Sequence, residues 1–194
     1  MARKARWIVL AALGAAGCSG MQETWEGPGA QAFRPTTIAV LPPDASAFDG
    51  AREAVQEVLV TALAASGRFE RVVPPEQVAT LLERSRSAFD ALVSFRSRLD
   101  TTGALDADAV RTLSEALQSQ ALLFVRVNAW EYSSRDGDKS ARVGFTLRLV
   151  DASTGTLVAR IRHEEHDEYT FFRPELRELG ADLAEEMVEA LPPH

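Results

Sequence analysis

The chain has 194 residues, 46% of them hydrophobic and 25% charged, enough for one domain with a substantial core. Its formal net charge of -7 excludes a general nucleic-acid binder, which needs surplus cations to neutralise phosphates. Its one cysteine, Cys18, excludes an internal disulfide and a cysteine-cluster metal site.

The N-terminus reads as a secretory signal over residues 1–17. Arg3, Lys4 and Arg6 make a charged start, and Trp7 to Gly17 is apolar or small throughout. That run is too short to span a bilayer as a helix, which takes roughly 20 residues. Ala15-Ala16-Gly17-Cys18 is similar to a lipobox, with small residues before a cysteine that becomes acylated. The expected mature protein is therefore a lipoprotein, held to a membrane by fatty acyl (palmitate-type) groups on Cys18. Loss of the three leader cations would take its formal charge from -7 to -10. Ser19 follows the cysteine in place of an inner-membrane retention aspartate, which favours the outer membrane. Residues 18–34, with Gly20, Gly27, Pro28 and Gly29 and no steady periodicity, read as a flexible tether. Residues 35–194 form the expected single periplasmic domain.

Thr36 to Leu41 is a short β-branched run stopped by Pro42-Pro43, the pattern of a buried strand. From about Asp49 the apolar residues Ala51, Ala54, Val55, Val58, Leu59, Ala62 and Leu63 fall on one helical face, and Gly67 ends the helix. Phe69 to Val73 is a second strand. Pro74-Pro75 opens another helix with Val78, Leu81 and Leu82 inward. Ser85 to Leu99 is helical in style but poorly periodic, with Phe89, Leu92, Val93 and Phe95 as its large apolar residues. Asp106 to Ser119 is a cleaner helix on Val110, Leu113 and Leu117.

Three strands follow, Ala121 to Tyr132, Ala141 to Val150 and Thr156 to about Tyr169, joined by turns at Asp136-Gly137 and Ser153-Thr154-Gly155. A last helix begins at Pro174, with Leu176, Leu179, Leu183, Met187 and Leu191 inward. Its Glu175, Glu178, Asp182, Glu185, Glu186 and Glu189 are solvated. The expected fold is α/β: a mixed parallel and antiparallel sheet of about five strands flanked by about four helices, in the order β-α-β-α-α-β-β-β-α.

Three segments carry a family likeness: Ile38 to Arg84, Ala116 to Trp130 and Val143 to Arg160. The last contains Leu147-Arg148-Leu149-Val150-Asp151 and Thr154-Gly155. Together they resemble the curli-assembly (CsgG-like) superfamily of lipoproteins, which includes a lipoprotein activator of a penicillin-binding protein (LpoB-like). The resemblance implies an envelope protein that works by binding other proteins. A curli-type pore needs long membrane-spanning hairpins, and Ser133 to Ser140 is too short and polar to supply one, so a pore is not expected.

No G-x-S-x-G and no phosphate-cradling glycine loop occurs, so no catalytic residue is assigned and an enzyme is not expected. His163 and His166 lie within HEEHDE, but residues three apart on a strand point to opposite faces; no metal and no other cofactor is expected. Arg84, Arg86, Arg96 and Arg98 are expected to be solvated. Strand register gives the sharper feature. Pairing Leu149 with Leu157, Phe145 with Ile161 and Val143 with His163, and Val127 with Phe145 and Leu123 with Leu149, leaves one face apolar. The other then carries Arg126, Arg142, Arg148, Arg160 and Arg162, with Phe124 and Trp130 among them. Arginine and tryptophan suit interfaces, so Arg126, Trp130, Arg142, Arg148, Arg160 and Arg162 form a candidate partner-binding surface for an acidic protein or glycan. Two functions remain open: an envelope protein-binding or assembly module, or an auxiliary and oligomeric subunit of a transport or secretion complex.

Overall fold

The computed structural model describes residues 22–135 and 138–192; the leader, Cys18 and the Asp136-Gly137 turn lie outside them. The strands are β1 (Glu23–Glu26), β2 (Thr37–Val40), β3 (Arg71–Val73), β4 (Ala121–Arg135), β5 (Asp138–Asp151) and β6 (Thr156–Tyr169). The helices are α1 (Ala51–Ala65), α2 (Pro75–Arg84), α3 (Arg86–Thr102), α4 (Ala107–Leu117) and α5 (Leu176–Glu189). The six strands form one sheet in the order β1-β6-β5-β4-β2-β3. β2 runs parallel to β3 and β4, and the β4-β5-β6 meander and β1 are antiparallel to their neighbours. The expected mixed α/β sheet is thus present, with one strand and one helix more than expected.

The added strand is β1. It pairs with β6 from Glu23 opposite Arg162 to Glu26 opposite Ala159, so the expected tether does not extend free to Arg34. All four residues of β1 are exposed, which is why no hydrophobic pattern marks it. The added helix is α3, where the sequence showed only poor periodicity. Its buried residues are Ala88, Ala91, Leu92 and Phe95, whereas Phe89 and Val93 face outward. Its first turn is capped by Ser85, whose hydroxyl accepts the Ala88 N–H at 3.3 Å.

The two sheet faces are packed unequally. On one face Ile38, Val40, Leu123, Val125, Phe145, Leu147 and Ile161 meet Val55, Leu59 and Leu63 of α1 and Leu183, Met187 and Val188 of α5. On the other, α2, α3 and α4 cover a smaller patch that includes Ala39, Leu41, Val73, Leu122, Phe124 and Val150. The rest of that second face carries no helix among the described residues. No helix among them is long and apolar enough to cross a membrane.

Two bulges set which side chains reach which face. Between Val127 and Ala129 the register slips past Asn128, whose Nδ2 donates to Thr146 Oγ1 at 2.8 Å. Inserting one residue moves every later side chain of the strand to the opposite face. The second slip lies beside Leu149 and Val150, where β6 passes Val158 unpaired. Asp151 pairs with Thr156 at the turn, and after the bulge Phe145 pairs with His163 and Leu147 with Ile161. The expected β5-β6 pairing was therefore two residues out, an even number, so the division into apolar and arginine faces survives. The expected pairs Val127–Phe145 and Leu123–Leu149 are present.

Candidate arginine face

Cross-strand register lays the uncovered face out in rows. One row runs from Trp25 on β1 through Arg160 on β6 and Arg148 on β5 to Phe124 on β4. The next runs through Glu23, Arg162, Thr146 and Arg126. A third element of the face is Arg142, opposite Glu131 on β4 and His166 on β6. All five predicted arginines are thus gathered on one face.

Trp130 is not among them. The bulge at Asn128 turns it to the helix-covered side, where its ring stacks on Phe145 with centroids 6.3 Å apart. There it packs so closely on α5 that a Cβ added at Gly180 would lie 2.8 Å from its ring. The tryptophan that does stand beside the arginines is Trp25, 41% exposed and directly opposite Arg160. Its strand lies in a segment whose composition is that of a tether, and no sequence signal singles it out.

Carboxylates from the sheet and its margins hold most of the arginines in place. Arg126 Nε donates to Asp44 Oδ2 at 3.0 Å, and Arg160 pairs with Glu23 at 2.8 Å. Arg142 donates through Nε to Glu164 Oε1 at 3.1 Å and reaches Glu131 at 3.3 Å. These contacts raise the Arg142 guanidinium above its ordinary value, the Glu164 bond contributing most. Burial tends to raise the Asp44 carboxyl, but Ser46 and Arg126 outweigh it and hold it below the usual carboxylate range. Exposed pairs of this kind contribute little stability; their effect is to fix long side chains in orientation. Arg162 is exposed, opposite Glu23 and Thr146, and makes no ion pair with any described residue.

At the junction of this face with the helices lies a cleft of about 440 Å³, lined by Asp44, Arg96, Leu99, Phe124, Arg126 and Arg148. Phe124 forms its floor and stacks on Phe95 of α3, with centroids 4.0 Å apart. Arg96 is not simply solvated as expected: its guanidinium donates to the Pro42 carbonyl and lines the cleft. Arg98 and Arg86 are solvated as expected, and pair with Asp106 at 3.3 Å and with Asp90 at 3.1 Å. The opposite side of the molecule has the reverse charge. Glu53 and Glu57 of α1 and Glu178, Asp182, Glu185, Glu186 and Glu189 of α5 are all exposed.

No family model matches the sequence, and no curated protein matches it. Solved structures do match. PelC from Paraburkholderia phytofirmans, described as a dodecamer, is 18% identical; the match covers 90% of this chain and 99% of that one with a TM-score of 0.58. The chain has the PelC fold. A lipoprotein, GNA1162 from Neisseria meningitidis, is also 18% identical over 80% of this chain and 99% of that one, with a TM-score of 0.44. Neither structure is described as a curli-assembly or penicillin-binding-protein-activator lipoprotein.

Proposed function

We propose that the chain is a non-enzymatic bacterial envelope lipoprotein whose folded domain binds protein in the periplasm, and that the first partner is a further copy of itself. The observation that carries this reading is the helix-free half of the sheet, where Trp25 and a field of arginines stand on an otherwise acidic protein. The opposite helical side supplies the complementary charge. An arginine-rich front, on which Arg162 makes no ion pair with a described residue, and an acidic back on one molecule favour head-to-tail contacts, which close into rings when the rotation between copies allows. The fold shared with PelC, itself described as a dodecamer, supports the same arrangement.

The anchor belongs to this reading. Acylation of Cys18 would place the domain at a membrane, and Ser19 favours the outer one. A relationship to the curli-assembly lipoproteins would give the same class of work, assembly by protein contact.

Sedimentation of the chain from Gln22 onward tests the proposal. A defined oligomer that dissociates when Arg148 and Arg160 are replaced by glutamate, with the fold intact by circular dichroism, is the expected result. A monomer at high concentration, capturing the same envelope proteins in cross-linking with or without those substitutions, would overturn it.

A further inference from the structure

His163 lies on the helix-covered face of β6 and is 3% exposed. A neutral imidazole buried this deeply ordinarily has a partner on each ring nitrogen. Here neither Nδ1 nor Nε2 has a hydrogen-bond partner among the described residues. The nearest acidic oxygen, Glu186 Oε2 of α5, stands 3.6 Å from Nδ1, beyond hydrogen-bond reach. Glu165, two residues on and therefore on the same side of β6, completes a set of three. The potential ligand atoms of His163, Glu165 and Glu186 all lie within 4.8 Å of one another.

The geometry points to a divalent-metal site formed by His163, Glu165 and Glu186, clamping α5 to β6. Zinc–nitrogen and zinc–oxygen bonds of about 2.0–2.2 Å place tetrahedral ligands about 3.4 Å apart. The 3.6 Å gap between His163 and Glu186 is thus too long for a hydrogen bond and close to the edge of such a tetrahedron. One imidazole with two carboxylates suits Zn²⁺ or Co²⁺ better than Mg²⁺ or Ca²⁺, which take oxygen ligands alone.

His163 and His166 face opposite sides of β6, His166 being exposed on the arginine face opposite Arg142. The set that works replaces His166 with Glu165 and a residue from another element.

The test uses untagged full-length protein in detergent, titrated with Zn²⁺ by calorimetry and with Co²⁺ by visible absorption. One ion per chain is expected, with tetrahedral Co²⁺ bands. Changes behind a metal's ligands commonly cost about 10–100-fold in affinity, so losing a ligand in Glu186→Gln or Glu165→Gln should cost at least about tenfold. His166→Ala should bind as the wild type does. Because His163 is buried, Glu186→Gln is the decisive variant: it should melt like the wild type without metal and lose the rise in Tm that Zn²⁺ gives. Equal affinity in the wild type and Glu186→Gln, no saturable uptake, or a preference for Mg²⁺ or Ca²⁺ would overturn the assignment.

Discussion

Replacing Phe95 with alanine tests whether α3 is the support of the cleft. Phe95 is wholly buried, and its ring lies parallel to that of Phe124, 17° from coplanar at 4.0 Å. Truncating a core phenylalanine costs about 3–5 kcal/mol, of which an aromatic pair accounts for about 0.5–1.5 kcal/mol. Against a domain stability of about 5–15 kcal/mol, a loss near 4 kcal/mol is severe. For a chain of this size it lowers Tm by roughly 2–4 °C for each kcal/mol. Phe89, on the same helix, is 48% exposed, and Phe89→Ala should change stability by no more than about 0.5 kcal/mol. Urea denaturation of both variants provides the comparison. If Phe95→Ala costs less than about 1 kcal/mol, or the two variants cost the same, then α3 does not pack in this register and the cleft loses its floor.

Gly155 adopts φ +70°, and a Cβ there would meet the Ala107 Cβ at 2.7 Å. Gly155→Ala should destabilise by at least about 1 kcal/mol in the same urea assay, the left-handed backbone alone costing about 1–2 kcal/mol. The Asp106 carboxylate caps α4 by accepting the Ala109 N–H at 3.2 Å, and that bond, reinforced by Arg98, holds it below the usual range. A carboxyl lowered by folding contributes stability above its unfolded value of about 3.9 and loses it as the pH falls through the folded one. The difference in urea midpoint between wild type and Asp106→Asn should therefore be present at neutral pH and shrink toward about pH 2. Cys18→Ser should release the domain into the soluble periplasmic fraction, and continued retention in membranes would refute the anchor.

Most elements were legible because their periodicity is strong. The alternation of Val143, Phe145, Leu147 and Leu149 and the stripe from Leu183 to Met187 both mark faces that are buried. Legibility failed where local pattern and tertiary environment diverge. In α3 the large residues Phe89 and Val93 point outward while the small Ala88 and Ala91 are buried, so size misreports the inner face. Asn128 carries no sign that it will be bulged out, yet it decides that Trp130 leaves the arginine face. The arginine face survived a two-residue error in pairing because strand faces repeat every two residues. His163 and Glu186 are brought together only when α5 docks, which no motif within HEEHDE encodes.

β1 changes how the domain would stand at a membrane. A tether reaching Arg34 would let it range some 50 Å from the surface at roughly 3.3 Å per residue. With Glu23 already in the sheet, only four residues separate it from Cys18, five Cα–Cα steps with a reach of about 18 Å at most. An acylated Cys18 would therefore hold the β1 edge of the sheet almost against the lipid headgroups. Any pull between membrane and partner would pass along the β1-β6 ladder and load its hydrogen bonds in shear. The same four residues would serve as both edge cover and mechanical coupling, and ring-forming copies would share a common orientation relative to the bilayer.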